Sequence, residues 1–442
     1  MSKCPALFIS APASNQGKTT ITAGIAYSYR RRGQKVHVFK TGPDFLDPMI
    51  LEQASGNPVY QLDLWMTGED DCRRLLYEAA LDADLILIEG VMGLYDGKPS
   101  SADLAELFGL PVLLVVDASS MAQTFGAVAQ GLATFRPTLP WAGVLANNVA
   151  SERHAKMIKE DIPEALRFVG SIFRAEEIFF PSRHLGLIQA EEISDIDARL
   201  NRIADAVQST SIDEILQEVP FSPRAEINFP ALLDGITVAV ARDRAFSFLY
   251  EANLKLLEKM GAKLIFFSPL QDRCLPATDS VYLPGGYPEL YVDQLESNVD
   301  MKKALHQHFE SHKPIYAECG GMLYLLDKLV DQRGKEGAMV GLIPGKAIMQ
   351  SRLKSLGYQS AELPGGVVRG HTFHYSDVAV DLKPVNYGSR SYDSAQGEPI
   401  YRIDGLLASY LHFYFPSNPL VVANLFGSQQ RSSTNPFCQV RF

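Results

Sequence analysis

The sequence predicts two consecutive α/β units, each built on a largely parallel sheet. Short apolar runs rich in Val, Ile and Leu, without strict alternation with polar residues, are typical of strands buried on both faces. Longer stretches with helical patterns separate these runs, which indicates strand–helix–strand crossovers. A proline-containing segment without a clear period interrupts the alternation near residue 220 and divides the chain in two.

The individual elements follow the same alternation in both halves. In the first half, a doubly wound pattern is predicted from strands and helices at Val36–Phe39, Leu85–Ile88, Val112–Val116, Gly143–Leu145, Thr20–Arg32, Asp70–Leu81 and Ile196–Val207. In the second half, the corresponding elements are predicted at Thr237–Ala241, Phe246–Met260, Leu264–Phe267, Val281–Leu283, Val299–His312 and Ile315–Ala317. We therefore expect domains over residues 1–210 and 235–442, joined by a linker over residues 211–234.

Composition excludes several classes of protein. The 442 residues carry 41 basic and 51 acidic side chains, a formal net charge of −10, which argues against a nucleic-acid or anionic-membrane binder. No apolar run approaches the roughly 18 residues of a membrane span, and the N-terminal apolar stretch reads as a first strand, not a signal peptide. The five cysteines are widely spaced, so neither a disulfide framework nor a zinc site is expected. These features favour the cytoplasm.

A glycine-containing loop between the first strand and the first helix indicates a phosphate site. Gly17, Lys18, Thr19 and Thr20 stand where backbone N–H groups, a lysine and a hydroxyl surround nucleotide phosphates, the Thr19 hydroxyl binding Mg²⁺. The strict motif is not met, because Pro12 stands in the place of its first glycine. A chance Gly-Lys-Thr at a helix start is the alternative, which the strand–loop–helix context disfavours.

Polar side chains follow neighbouring predicted strands at the edge where open α/β sheets bind ligands. Glu89 follows a buried strand and Asp47 follows Lys40, so both carboxylates are candidate Mg²⁺ ligands, with ordinary turn chemistry as the alternative. Asn147 and Asn148 close another strand and could bind an adenine edge or cap the next helix.

Cys319 lies in a strand–turn–helix pattern that predicts an exposed nucleophile. The small neighbours Ala317, Gly320 and Gly321 permit a strained turn, and the helix dipole is expected to lower the pKa of the thiol. A buried, inert cysteine is the alternative.

The chemistry of a cysteine nucleophile also requires a base and an oxyanion site. Among downstream histidines, His412 is a candidate base, and His371 and His374 are competitors that spacing does not separate. The Pro284-Gly285-Gly286 turn could direct backbone N–H groups at an oxyanion, although Pro-Gly-Gly alone is also an ordinary turn.

Together these segments resemble the cobyrinate a,c-diamide synthase family over nearly the whole chain. The matching motifs are Gly17–Thr20, Gly42–Asp44, Glu89–Gly97, Arg183–Leu187, Phe266–Leu270, Pro284–Glu289 and the turn at Cys319. The family joins a dethiobiotin-synthetase-like ATP domain to a class I glutamine amidotransferase domain.

The resemblance implies specific roles. It implies Cys319 as nucleophile, His412 as its base, an oxyanion hole at Gly286 and Gly320, and Asn147 or Asn148 near the adenine. It further implies ATP with Mg²⁺ at Thr19, Asp47 and Glu89, a substrate loop at Asp44, Phe45, Leu46 and Asp96, and a possible homodimer.

Three positions depart from the family pattern: Phe45, Thr372 and Tyr414 replace the usual Tyr, Glu and His. The position two residues after His412 carries no triad carboxylate, which fits a cysteine–histidine dyad.

The implied function is ATP- and glutamine-dependent amidation of the a and c acetates of a polycarboxylate tetrapyrrole such as cobyrinate, through an acyl phosphate and ammonia released from L-glutamine. Hydrogenobyrinate, sirohaem and nickel sirohydrochlorin are alternative macrocycles. Two other classes compete: a nucleotide-switch ATPase with a non-catalytic C-terminal module, and a protein that delivers tetrapyrroles without chemistry.

Overall fold

The computed structural model describes residues 1–163, 165–183, 186–224 and 230–427. The chain divides into two compact units, Met1–Glu226 and Ile227–Phe442. Among the described residues, no helix has the length and apolar character needed to cross a membrane.

The first unit is a doubly wound α/β fold. Its strands are β1 (Ser2–Ser10), β2 (Val36–Thr41), β3 (Tyr60–Leu62), β4 (Leu85–Glu89), β5 (Val112–Asp117), β6 (Trp141–Val149), β7 (Phe168–Phe173), β8 (Ser182–Arg183), β9 (Gly186–Leu187) and β10 (Gln217–Phe221). Its helices are α1 (Lys18–Arg31), α2 (Leu46–Ser55), α3 (Glu69–Ala80), α4 (Ser101–Phe108), α5 (Thr124–Phe135), α6 (Glu152–Glu160), α7 (Ile196–Gln208) and α8 (Ile212–Ile215).

An eight-stranded sheet forms the centre of this unit. The strand order is β3-β2-β4-β1-β5-β6-β7, with parallel pairs throughout, and β10 pairs antiparallel with β1. Alternate residues of β1 enter opposite cores, Ala6 and Phe8 on one face and Leu7 and Ile9 on the other. Burial of both faces explains why these strands read as continuous apolar runs.

The segment expected to be a linker over 211–234 begins with ordered structure of the first unit. Helix α8 and strand β10 occupy its first half, and Cys4 of β1 stands opposite Val219 of β10. Pro220 argues against a strand at this position, because proline cannot donate a hydrogen bond to a neighbouring strand. Its presence is compatible with a strand that pairs on one side only, as β10 does. Residues 225–229 of the segment lie outside the described part of the chain.

The second unit combines a parallel half-sheet with a long antiparallel extension. Its strands are β11 (Thr237–Ala241), β12 (Lys263–Phe267), β13 (Ser280–Leu283), β14 (Ile315–Glu318), β15 (Leu326–Val330), β16 (Glu336–Ala338), β17 (Ile343–Met349), β18 (Ser355–Leu363), β19 (Gly366–His374), β20 (Ser376–Val380), β21 (Asn386–Arg390), β22 (Gln396–Ile403), β23 (Leu406–Ser409) and β24 (His412–Phe413). Its helices are α9 (Glu251–Lys259), α10 (Val292–Ser297), α11 (Val299–Glu310), α12 (Gly320–Leu325) and α13 (Pro419–Phe426).

The ten-stranded sheet of this unit has the order β12-β11-β13-β14-β23-β22-β21-β18-β19-β24. Pairs from β12 to β23 are parallel and the following pairs are antiparallel. Strands β15, β16, β17 and β20 form a separate four-stranded sheet. The register brings the carboxyl end of β14 beside β23, and His412 begins β24 three residues after β23 ends.

The predicted helix 246–260 is shorter than expected. The helix begins at Glu251, because the preceding residues form turns stabilised by polar contacts. The Asp243 carboxylate accepts from the N–H groups of Ala245 and Phe246 at 2.8 and 3.2 Å, and Phe248 N donates to Gly285 O at 3.1 Å. These turns hold the segment against the Pro284-Gly285-Gly286 turn.

Candidate active sites

The phosphate loop has the backbone geometry that its sequence predicts. Gly17 adopts φ +91°, and a Cβ atom there would lie 2.2 Å from Nδ2 of Asn147, so only glycine fits. The same Nδ2 donates to Gln16 O at 2.9 Å and fixes the loop. Helix α1 begins at Lys18 without a side-chain cap, which leaves its first N–H groups suited to an anion.

Lys18 is held at the mouth of this loop. Its Nζ donates to the carbonyl oxygens of Met92, at 2.7 Å, and Ala13, at 3.1 Å. Burial, followed by the positive charge of Lys40, lowers the pKa of Lys18 to about 8. A bound phosphate would supply the negative charge that stabilises the ammonium form.

A cavity of about 290 Å³ opens beside the loop. It brings together the following residues, seven of which were candidates from sequence: Ser14, Asn15, Gly17, Lys18, Thr19, Thr20, Lys40, Asp44, Asp47, Glu89, Val91, Met92 and Phe180. Gly17–Thr20, Asp47 and Glu89 are separated along the chain and line the same cavity.

A buried lysine joins the two candidate metal ligands, a contact that sequence reasoning missed. Lys40 Nζ lies 2.6 Å from Asp47 Oδ2 and 2.7 Å from Glu89 Oε1, and Glu89 is fully buried. Burial raises the pKa of Glu89, whereas the Lys40 ammonium outweighs burial at Asp47 and holds the pKa of that carboxyl below its usual range. The signal for Lys40 was its place at the end of β2, beside β4.

The other candidates of this unit lie around the cavity. Asp44 lines it and accepts from Leu46 N at 2.9 Å and Asp47 N at 3.2 Å, which fixes the start of α2. Phe45 and Leu46 are half-buried there and do not line the cavity. Asp96 is exposed and accepts from Gly93 N at 3.0 Å.

The two asparagines belong to β6 and do not cap the next helix. Ser151 caps α6 by accepting from His154 N at 3.2 Å. Asn147 lies behind the phosphate loop, as described above, and Asn148 Nδ2 donates to Asp117 Oδ2 at 2.6 Å. Within the described residues, Oδ1 of each asparagine is a buried acceptor with no hydrogen-bond partner.

In the second unit, Cys319 occupies the turn between β14 and α12 in a strained conformation. Its φ of 43° and ψ of −107° lie in a region that L residues rarely adopt, at a cost of about 1–3 kcal/mol. Cys319 N donates to Ser409 O of β23 at 2.8 Å, which anchors the turn. A strained residue between a strand and a helix is typical of a nucleophile turn, but the Cys319 side chain is buried at 7% exposure, whereas the sequence pattern predicted an exposed side chain.

The glycines around Cys319 are packed too closely for any side chain. Gly286 has φ +154°, and a Cβ there would lie 2.1 Å from Ala245 O. A Cβ on Gly320 would lie 3.0 Å from Gly286 N, so these two backbone segments are adjacent. The Gly320 N–H lowers the pKa of the Cys319 thiol. Backbone N–H groups on two adjacent segments at this turn are what an oxyanion hole requires.

The thiol pKa differs from the sequence expectation. Burial raises the pKa of Cys319, the Glu289, Glu318 and Glu398 carboxylates add to this effect, and the Gly320 N–H opposes it. The dipole of the six-residue helix α12 therefore does not determine the pKa of the thiol. Desolvation penalises the thiolate more than the helix end favours it. The thiol is protonated in this state, so attack requires a proton acceptor.

His412 lies against the glycine turn that adjoins Gly320. A Cβ on Gly285 would lie 2.3 Å from its Cε1, so the imidazole contacts the same turn that lies against Gly320. His371 stacks on it with ring centroids 5.0 Å apart, and burial holds the pKa of His371 well below its usual range. His374 instead contacts Ser376 O at 3.0 Å and Glu398 Oε1 at 3.2 Å. His412 thus contacts the glycine turn, His371 contacts His412, and His374 contacts Glu398.

Two of the three departures also have local explanations. Thr372 donates to Glu398 Oε1 at 3.3 Å, so a carboxylate from β22 reaches the place of the missing glutamate side chain. Tyr414 is fully buried, with its ring 5.6 Å from that of Tyr250. The glutamates at 289, 318 and 398 were not singled out from sequence, and their only signal was proximity to glycine turns or strand ends.

The two sites define a glutamine amidotransferase joined to a nucleotide-binding domain. Residues 7–188 match the CobQ/CobB/MinD/ParA nucleotide binding domain, and residues 237–420 match the CobB/CobQ-like glutamine amidotransferase domain.

Full-length relatives narrow the class. The chain is 56% identical to the hydrogenobyrinate a,c-diamide synthase of Stutzerimonas stutzeri, over 96% of this chain and 98% of that protein. It is 54% identical to the protein of the same name from Pseudomonas aeruginosa, over 96% and 97% of the two chains. It is 47% identical to the cobyrinate a,c-diamide synthase of Herminiimonas arsenicoxydans, again over 96% and 97%. The chain belongs to the a,c-diamide synthase family, and the resemblance noted from sequence is confirmed.

Proposed function

We propose that this chain amidates the a and c acetate carboxylates of a corrinoid-type tetrapyrrole, using ATP and L-glutamine. The observation that carries the proposal is the strained Cys319 turn, with Gly320 packed against Gly286 and His412 against the adjoining Gly285. Hydrogenobyrinate is favoured as the macrocycle, because relatives of that name are 56% and 54% identical, against 47% for a cobyrinate enzyme.

In the glutamine half-reaction, Cys319 is the nucleophile. Its Sγ attacks the side-chain amide carbon of glutamine as His412 takes the thiol proton, and the N–H groups of Gly286 and Gly320 stabilise the oxyanion. The proton then passes to the leaving nitrogen, and ammonia departs with formation of a thioester that water hydrolyses. The raised pKa of the thiol makes His412 indispensable to this step.

In the ATP half-reaction, the cavity beside α1 binds the nucleotide. The N–H groups that follow Gly17, together with Lys18 and Thr20, bind phosphate oxygens. The γ-phosphoryl group passes to a substrate carboxylate, because a free carboxylate resists attack by ammonia whereas an acyl phosphate does not. The loop of Asp44, Phe45 and Leu46 and the side chain of Asp96 adjoin this cavity and form the proposed substrate region.

The donor set of this cavity fits Mg²⁺. Glu89 Oε2 is a buried carboxylate oxygen without a hydrogen-bond partner in the described chain, and Thr19 Oγ1 donates to Oε1 of the same carboxylate at 2.8 Å. No group of three His, Cys, Asp or Glu side chains suited to a metal occurs among the described residues, which agrees with an ion that relies on phosphate oxygens and water. Thr19 and Glu89, with Asp47 from the Lys40 pair, would hold the ion, which neutralises phosphate charge when bound.

The setting proposed for this chemistry is the cytoplasm. Cys4, Cys72, Cys274 and Cys319 are free thiols, as expected in a reducing compartment. A homodimer is implied by the resemblance alone, and sedimentation of the purified chain tests it.

Two variants test whether glutamine hydrolysis and ATP turnover depend on different residues. Cys319→Ala should lose ammonia release from glutamine and retain amidation with added ammonium, because the acyl phosphate is formed elsewhere. Lys18→Ala should lose ATP turnover and amidation with either nitrogen source. A Cys319→Ala variant that hydrolyses glutamine at the wild-type rate contradicts the nucleophile assignment, and full tetrapyrrole processing by Lys18→Ala contradicts the ligase.

The macrocycle is tested by comparing kcat/KM for hydrogenobyrinate and cobyrinate under the same conditions. We expect the higher value with hydrogenobyrinate and a product carrying two new amides by mass spectrometry. A higher value with cobyrinate would reverse the substrate assignment and leave the chemistry in place.

A further inference from the structure

We propose that Glu318 is the carboxylate partner of His412, so that glutamine hydrolysis uses a cysteine–histidine–glutamate arrangement in which the acid directly precedes the nucleophile. Glu318 is a positioning residue in this proposal, because it acts on the base and not on the substrate. The inference rests on the proposed function, since it assigns a further role within the same site.

The contact between the two side chains is buried. His412 Nδ1 lies 3.8 Å from Glu318 Oε2, and both side chains are 2% exposed. This separation is that of an ion-pair contact and not of a hydrogen bond, and with little water present a carboxylate attracts an imidazolium at this distance. In this proposal Glu318 acts on Nδ1, and the opposite nitrogen, Nε2, exchanges the proton with the thiol.

The carboxylate itself is fixed by three hydrogen bonds. Glu318 Oε1 accepts from Tyr316 OH at 2.6 Å and from Phe413 N at 3.0 Å, and Oε2 accepts from Tyr282 OH at 2.9 Å. Donors of this kind stabilise the ionised form of a buried carboxyl. The bond to Phe413 N also ties the backbone next to His412 to the same carboxylate.

Sheet register explains why these residues meet. Glu318 of β14 stands opposite Ser409 of β23, and the chain continues directly from Ser409 to His412. The carboxyl end of β14 therefore presents Glu318 toward the base and Cys319 toward the glycine turn. An acid placed before the nucleophile replaces one placed two residues after the histidine, where this chain has Tyr414.

The other groups around the imidazole do not provide this stabilisation. His371 of β19 stacks on His412, but burial keeps its pKa well below the usual range, so it is neutral. Phe248 contributes an aromatic ring with its centroid 6.4 Å away. Cys319 is the proton donor, and Glu289 and Glu398 act electrostatically on that thiol.

The thiol proton of Cys319 is conserved in the step that Glu318 assists. As the Cys319 Sγ–carbon bond forms, the thiol proton moves to Nε2 of His412, and the resulting imidazolium has its Nδ1–H directed toward Glu318. The same proton then moves from Nε2 to the amide nitrogen as the carbon–nitrogen bond breaks, which returns His412 to its neutral form. Glu318 stays ionised throughout.

The test is Glu318→Gln, which keeps the shape of the side chain and removes its charge. We expect kcat for glutamine hydrolysis to fall about 100-fold with little change in KM. A loss confined to kcat is what a positioning residue predicts, whereas a distorted site would raise KM as well. Amidation with added ammonium, which bypasses this step, should persist.

Two further variants separate positioning from structural support. Tyr282→Phe removes one donor but keeps the carboxylate, so it should lose less than about tenfold in kcat. Glu310→Gln, at the exposed end of α11, should match the wild type.

Several outcomes would overturn the role of Glu318: a wild-type kcat in Glu318→Gln, an equal loss in Tyr282→Phe, or loss of ammonium-dependent amidation in Glu318→Gln. Failure of the wild type to release ammonia from glutamine would instead overturn the proposed function itself.

Discussion

Replacing Lys40 by methionine should strongly destabilise the first unit. The change removes the ammonium that lies 2.6 Å from Asp47 and 2.7 Å from Glu89, where Lys40 is 2% exposed and Glu89 is fully buried. Breaking a buried ion pair by removing one partner costs about 3–5 kcal/mol, because the remaining charge has no compensation. In a unit of this size each kcal/mol corresponds to about 2–4 °C, so Tm should fall by roughly 6–20 °C.

The penalty should depend on pH in a defined direction. Without Lys40, the buried carboxyls of Asp47 and Glu89 have folded-state pKa values above those of the unfolded chain. The penalty is therefore fully present above those folded-state values, and it shrinks as pH falls and the carboxyls take up protons. Calorimetric scans of Lys40→Met and wild type between pH 8 and pH 5 should show the two Tm values converging.

A surface lysine of the same unit provides the matched control. Lys156 lies 3.9 Å from Glu160, and these side chains are 78% and 59% exposed. Solvent screens such a pair, so Lys156→Met should shift Tm by less than about 2 °C at any of these pH values. A Lys40→Met variant that behaves like this control, or whose deficit persists unchanged at pH 5, would refute the reasoning.

Two other predictions follow, one from the lowered pKa of Lys18 and one from the close packing of Gly285. Because the pKa of Lys18 is lowered to about 8 and bound phosphate would raise it, ATP affinity should fall as pH rises above about 8; calorimetric titration showing a constant Kd from pH 7 to pH 9.5 would contradict this. Gly285→Ala would place a Cβ 2.3 Å from Cε1 of His412, so glutamine hydrolysis should fall at least about 100-fold while ATP binding is unchanged; near-wild-type ammonia release would show that the imidazole can move without loss.

Local signals were sufficient to predict most of the fold. Strand Thr237–Ala241 is found with the predicted bounds, because its apolar residues are buried on both faces of the sheet. The predicted start of this helix at Phe246 was wrong, because the Asp243 carboxylate and Gly285 O bind backbone N–H groups of residues 245–248 and hold them in turns. The Asp243 contacts are local, but Gly285 is distant in sequence, and no local pattern indicates its contact with Phe248.

The same division applies to the sites. The Gly17 loop and the Cys319 turn are each formed by residues that are adjacent in sequence. Their glycines mark the unusual backbone conformations, so both features could be predicted from sequence. The proximity of Lys40 to Glu89 depends on the parallel register of β2 and β4. The proximity of Glu318 to His412 depends on the pairing of β14 with β23. Register is a property of the folded sheet, and a search for an acid near His412 in sequence could not find it.

Buried carboxylates have different neighbours in the two units, and this difference affects the reactivity of Cys319. In the first unit, Lys40 compensates the carboxylates of Asp47 and Glu89, so an ammonium balances their charge before any ligand binds. In the second, burial and the carboxylates of Glu289 and Glu318 raise the pKa of the Cys319 thiol. An isolated thiolate is therefore disfavoured, and in the proposed mechanism it forms only as its proton moves to His412, beside the Glu318 carboxylate. Reactivity at Cys319 thus depends on a correctly placed imidazole more strongly than it would for an exposed cysteine.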